Sequence, residues 1–97
     1  NRSLVAVSSY TVLAADCIIG VDTTGAVTIN LQAAAKAGAG KVLYIKDETG
    51  NAAAENITID AAGSETIDGN LTETILTNYG YRVLYCNGTE WLIIGSN

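Results

Sequence analysis

Short runs rich in Val, Ile, Thr and Tyr recur along the chain, and ten glycines mark many of the breaks between them. Runs of this kind, bounded by turn signals every roughly 8–12 residues, read as the strands of a sandwich or barrel. The pattern predicts strands over 4–8, 10–13, 17–22, 26–31, 41–47, 56–60, 65–67, 71–76, 81–86 and 90–94. One stretch favours helix, Leu31-Gln-Ala-Ala-Ala-Lys-Ala37, ended by Gly38. It is long enough only for a helical turn bridging two strands. Residues 47–55 read as a polar surface loop. The pair Thr-Ile recurs at 58, 66 and 74. A β-solenoid could give such an echo, but solenoid repeats run longer and are more numerous, so β-propensity accounts for it.

Two hairpins are marked by their turn residues, Asp68-Gly69 and Asn87-Gly88. Both dipeptides suit the type I′ turn, whose two central residues need positive φ. A two-residue turn at Asn87-Gly88 pairs Leu84 with Trp91 and Val83 with Leu92. One face of that hairpin then carries Arg82, Leu84, Cys86, Trp91 and Ile93. The other carries Tyr81, Val83, Tyr85, Leu92 and Ile94. Both faces are largely apolar, and Lys41-Val-Leu-Tyr-Ile-Lys46 repeats the feature. A free-standing antiparallel sheet keeps one dry and one wet face. Strands apolar on both faces, in a chain with no helix to cover them, predict cover by another copy or a neighbouring domain.

Length and composition narrow the functional classes. Ninety-seven residues make one domain. Only 15% of them are charged, with 48% hydrophobic, which speaks against disorder. A net charge of −5 speaks against nucleic acid and against an anionic membrane surface. No apolar run reaches the length of a membrane span. The start at Asn1 reads as that of a fragment of a longer protein.

Candidate chemistry is sparse. The chain has no His, so its serines and cysteines lack the usual proton acceptor, and no enzyme is expected. Cys17 and Cys86 sit in apolar stretches and read as buried free thiols, with a 17–86 bridge as the alternative that nothing in the sequence requires; two thiolates without His do not complete a zinc site. Asp47-Glu48-Thr49-Gly50-Asn51 gathers oxygen donors without the spacing of a calcium loop. Gly38-Ala-Gly-Lys41 lacks the spacing of a phosphate loop and leads into a strand. No metal or cofactor is expected. Sequons start at Asn1, Asn56, Asn70 and Asn87; Asn in turns followed by Thr in strands produces the same pattern without any sugar.

Several stretches in series carry a resemblance: Ser9-Tyr-Thr-Val-Leu-Ala-Ala-Asp16, Ile19-Gly-Val-Asp-Thr-Thr-Gly25, Gly38-Ala-Gly-Lys-Val-Leu-Tyr-Ile-Lys-Asp47, Asn56-Ile-Thr-Ile-Asp60, Glu65-Thr-Ile-Asp-Gly69 and Tyr85-Cys-Asn-Gly-Thr-Glu-Trp91. Together they resemble a small β domain of bacteriophage tail fibres and tailspikes and of fibre-like proteins of large algal viruses. The chain departs from that pattern at Gln32, Cys17, Cys86 and Arg82. The resemblance implies a homotrimeric virion fibre or spike module, with attachment to cell-surface glycan typical of such fibres. No catalytic residue carries over. The expectation is one all-β domain over 1–97, a small antiparallel β-sandwich of jelly-roll type, assembling as a homotrimer in the virion. Leu84, Trp91 and Ile93 are assigned to the core. The resemblance places Tyr81, Val83, Leu92 and Ile94 at the subunit interface; no glycan contact is assigned to a residue. The alternative is a stand-alone carbohydrate-binding module that uses Trp91 and the tyrosines as stacking platforms.

Overall fold

The β-branched runs become nine strands in a computed structural model that describes residues 2–97; the asparagine of the Asn1 sequon lies outside the described residues. The strands are β1 (Arg2–Val5), β2 (Ser9–Thr11), β3 (Ile18–Val21), β4 (Val27–Asn30), β5 (Val42–Asp47), β6 (Ile57–Asp60), β7 (Thr72–Ile75), β8 (Tyr81–Cys86) and β9 (Trp91–Ser96). Between β4 and β5 the Ala-rich stretch supplies the single helical turn, α1 (Ala34–Ala37). The Glu65 carboxylate accepts the N–H of Ala34 at 2.9 Å, and Gly38 ends the turn at φ 87°. The expected strand over 65–67 does not form; Ile67 makes only single bridges, to Asn70 and to Trp91.

Two mixed sheets pack around one core, in the orders β1-β3-β5-β8-β9 and β2-β4-β6-β7. The first six strands alternate between the sheets. Each therefore lies parallel to the strand two places on: β1 to β3, β3 to β5, β2 to β4 and β4 to β6. The chain winds three times around the core before β7, β8 and β9 close it with antiparallel pairings. The expectation of an antiparallel, jelly-roll-like arrangement is thus corrected. Parallel neighbours need a crossover, usually a helix. Here the strand in the opposite sheet serves as the crossover, and short corners at 6–8 and 22–26 suffice. Alternation of apolar residues is the same for either strand direction, so the pattern does not report it. The Thr-Ile echo is not the period of this winding: Thr58 and Thr74 are simply paired across the antiparallel β6–β7 ladder.

Inward residues of both sheets make the core. Ile19, Leu43, Ile45 and Leu84 from the larger sheet meet Ile29, Ile57, Ile59 and Ile75 from the smaller, with Trp91 fully enclosed. Leu84 and Trp91 are core residues as expected, and Ile93 packs against them half-buried.

The turns differ in kind. Asp68 (φ 50°) and Gly69 (φ 85°) both take positive φ between the bridged Ile67 and Asn70, the type I′ geometry. The β8–β9 connection instead spans four residues, with Cys86 opposite Trp91 and Leu84 opposite Ile93. The Asn87 side chain accepts the N–H groups of Thr89 and Glu90 at 3.0 and 2.8 Å, so it shapes the loop as an Asx turn. From Leu84 to Cys86 the register is two residues from that expected, which keeps Leu92 and Ile93 on their faces. Beyond the irregularity at Val83/Leu84 it is three, and Ile94 is left unpaired. Gly88 still sits at φ 100°. Replacing it with Val forces a branched side chain into positive φ, at a cost of about 1–2 kcal/mol or more. Gly88→Val is expected to lower the melting temperature by at least about 4 °C, read by circular dichroism.

Candidate functional site

The two sheets present opposite chemistry to their surroundings. On the smaller sheet, alternation turns Ser9, Thr28, Thr58 and Thr74 outward in one cross-strand row. A second row holds Thr11, Asn30, Asp60 and Thr72. Those rows are hydroxyl and polar, as a solvated sheet face should be; the exposed Leu13, Leu71 and Leu76 lie just beyond the ends of β2 and β7. These rows also account for two sequons: Thr58 and Thr72 are outward strand residues, and Asn56 and Asn70 are exposed just ahead of them.

The larger sheet is the reverse. Its outward rows run Ile18-Tyr44-Val83, Val42-Tyr85-Leu92 and Leu4-Gly20-Lys46-Tyr81. Leu4 is 54%, Tyr44 46% and Ile94 59% exposed, so the face carries substantial uncovered apolar surface. Ile94 lies at a register irregularity of the β8–β9 ladder, where Val83 meets Gly95. Tyr81, Val83, Leu92 and Ile94 all lie outside the core. Val42, Tyr44, Ile18 and Leu4 join them on this face. The apolar-on-both-faces pattern of 41–46 already flags Val42 and Tyr44. Ile18 and Leu4 are added only by the parallel register of β1, β3 and β5.

Charge is confined to one border of that face. Arg2 grips Glu48 through Nε and Nη2, at 3.0 and 2.6 Å, and the Glu48 carboxylate lies over Gly20, where a Cβ would meet it at 1.9 Å. The hydrogen bond from Arg2 draws the Glu48 carboxyl below its ordinary value. Lys46 lies against Tyr79, its Nζ 5.8 Å from the ring centre and bonded to the Tyr79 carbonyl.

Two buried carboxylates hold the frame that displays the face. Asp47 ends β5 with no exposed surface. It accepts the Thr23 hydroxyl at 2.7 Å and the N–H groups of Thr49, Gly50, Ala52 and Tyr79 at 2.9–3.2 Å. Burial pulls this carboxyl up, but the Thr23 hydroxyl and the N–H donors outweigh it and hold it below the ordinary Asp value. The segment that gathers oxygen donors in the sequence thus supplies two N–H donors, Thr49 and Gly50, to a carboxylate that Ala52, Tyr79 and Thr23 enclose from outside it. Donors pointing at both oxygens repel a cation. Melting is accordingly expected to be indifferent to EDTA; a fall restored by calcium would contradict this reading of the loop.

Asp16 plays the same part between the two edge strands. It accepts Ser3 Oγ of β1 at 2.6 Å, Tyr10 OH of β2 at 2.7 Å and the Leu13 N–H at 2.8 Å. Lys41 bonds the carbonyls of Ala14 and Asp16. Desolvation raises the Asp16 carboxyl; the bonds from Ser3, Leu13 and Tyr10, with Lys41, win and lower it. The Tyr10 phenol moves up, held protonated by its bond to Asp16. Arg82 turns inward at the other end of the core. Its Nε meets Glu73 at 2.9 Å and its Nη2 the Thr74 carbonyl at 2.9 Å, tying β8 to β7 across the sheets. Among the described residues no buried side-chain nitrogen or oxygen lacks a partner.

Three further sequence readings find their place. Trp91 is fully buried and donates Nε1–H to the Gln32 carbonyl at 3.3 Å, so it is no stacking platform for a sugar. Both cysteines are free thiols; Cys86 is buried, whereas Cys17 is only half-buried. Among the described residues no helix is long and apolar enough to cross a membrane. Neither a family model nor a curated protein matches the chain.

Proposed function

We propose that the chain is a self-assembling structural module of a virion fibre or spike. It forms a homotrimer through the outer face of its larger sheet, and Tyr81, Val83, Leu92 and Ile94 lie in the contact. The observation that supports this reading is the contrast between the two sheet faces. Hydroxyl rows cover one, while on the other Leu4, Ile18, Tyr44, Tyr81 and Ile94 are exposed and Val42, Val83, Tyr85 and Leu92 half-buried. The largest apolar patch of a monomer, at about 300–600 Å², is often functional, and this face is of that size.

Strand spacing of ~4.8 Å and row spacing of ~6.7 Å give the apolar rows roughly 300–400 Å². A stable pairwise contact buries ~800 Å² on each partner. The rows therefore form only the centre of such a contact, and Leu4 and Ile94 at its margins extend it. The threefold number rests on the resemblance to trimeric fibre modules, not on this area. The module is non-catalytic, and host-surface attachment belongs to the fibre that carries it.

Light scattering on the purified chain tests the reading, with a glycan array run alongside. A mass three times that of the chain is expected. A monomer that binds sugar would overturn it in favour of the carbohydrate-binding module, with Tyr44, Tyr81 and Tyr85 as the aromatic surface in place of Trp91.

A further inference from the structure

The winding has one end shut and one end open. At the shut end the chain covers its own last strand. Trp91 N–H bonds the Thr66 carbonyl, Asp68 N–H bonds the Trp91 carbonyl, and the Asp68 carboxylate accepts the Ile93 N–H at 3.1 Å. Arg82 lies against β7 there. β7 and β9 are edge strands too, but β9 is bonded by Thr66 and Asp68 and the Thr74 carbonyl of β7 by Arg82; β1 and β2 are the edges of the open end, each paired on one side only.

An exposed edge is a template for another strand, and proteins blunt it with Pro, Lys, bulges, inward charge or very short strands; of these β1 and β2 have only the last, at four and three residues. Proline is absent from the whole chain, and neither β1 nor β2 contains Lys. Neither ladder shows a register shift. The one charge, Arg2, is drawn away onto Glu48. Asp16 meanwhile clamps Ser3 of β1 to Tyr10 of β2, which holds the two edges in fixed relation. An edge held rigid loses less entropy when it accepts a partner. Val7 and Leu13 stand at the corners either side of β2, 57% and 60% exposed.

From this asymmetry we propose that the β1/β2 end docks one further coil of extended polypeptide. Its two strands run parallel to β1 and β2, and the chain is the closing cap of a longer two-sheeted winding. Direction follows from the existing ladders, which are parallel throughout this half of the molecule. A coil stacked on them extends both sheets at once and covers Val7 and Leu13. Stacked-repeat proteins need terminal units of this kind, finished on one side only. The proposal does not depend on the apolar sheet face, which lies on a different side of the molecule.

The test adds a coil in the same polypeptide. A copy of residues 18–30 is joined to Arg2 through a copy of residues 12–17, the natural link between β2 and β3. A control carries the same extension with its residue order shuffled. Amide hydrogen exchange is read at Arg2–Val5 and Ser9–Thr11. The expected result is exchange slowed about tenfold or more by the copied coil and unchanged by the shuffled one. Equal rates in the parent and both extended chains would overturn the proposal. So would exchange in the parent that slows with protein concentration, since a second copy would then occupy the edge. The mass of the parent, which reports on the sheet face, is a separate measurement.

Discussion

Leu84→Asp is expected to abolish folding, and Val83→Asp to leave a folded chain that no longer assembles. The two residues are adjacent on β8 and differ only in the face they occupy. Leu84 has no exposed surface and stands between Leu43 and Ile93 in the ladders. A carboxylate there has no partner, and an unpaired buried charge costs several kcal/mol. Domains of this size possess roughly 5–15 kcal/mol in all. Val83 lies on the outer face, beside Tyr44 and over Gly95, whose Cα would bring a Cβ within 3.1 Å of the Val83 side chain. In a separated subunit water reaches the new charge; in an assembled one it would be buried against a neighbour. Circular dichroism and size-exclusion chromatography on both variants decide the matter. A folded Leu84→Asp chain would mean that the core is misassigned. A Val83→Asp chain that stays fully assembled would overturn the assembly face.

Asp47→Asn is the second large effect. The amide keeps the shape but turns an NH₂ group toward N–H donors, so at least two of the five bonds, those of Ala52 and Tyr79 to Oδ2, are lost at once and replaced by donor–donor repulsion. Breaking a buried, fully bonded carboxylate site costs ~3–5 kcal/mol, and in a chain this short at least about 12 °C of melting temperature. The pH dependence follows from the same site. Asp47 and Asp16 both have carboxyls lowered in the folded state. A lowered folded value means that the contribution is complete above the unfolded carboxylate value of about 3.9 and is lost as pH falls through the folded one. Melting is therefore expected to be flat from pH 7 to about 5 and to fall steeply below about 4. In Asp47→Asn the curve starts lower and falls less. An acid limb of equal depth in the two proteins would show that Asp47 carries none of the linkage.

Strand positions, the single helical turn and the inward set at Leu84 and Trp91 were legible in the residues themselves. Each depends on a period of two or on local propensity, and neighbours along the chain are enough to establish both. The uncovered face was legible for the same reason, since Val42, Tyr44, Val83 and Leu92 break the rule that one side of a free sheet be polar. The faces of Leu92 and Ile93 are unchanged by the longer turn at Asn87-Gly88, because the slip there is two residues; the irregularity that leaves Ile94 unpaired has no local signal. Strand direction was not legible. Whether β3 returns beside β1 or folds back on β2 depends on where the corners send the chain, and the corner residues 6–8 and 22–26 look like any turn. Asp47 shows the same limit. In sequence it is an acid beside oxygen donors in a polar loop. Only the fold brings Thr23 and the Tyr79 N–H to it, from 24 and 32 residues away, and makes it the best-bonded side chain of the core's edge. Local chemistry thus determined the strands and their faces, and long-range closure alone decided their direction, their sheet and the surroundings of the buried charges.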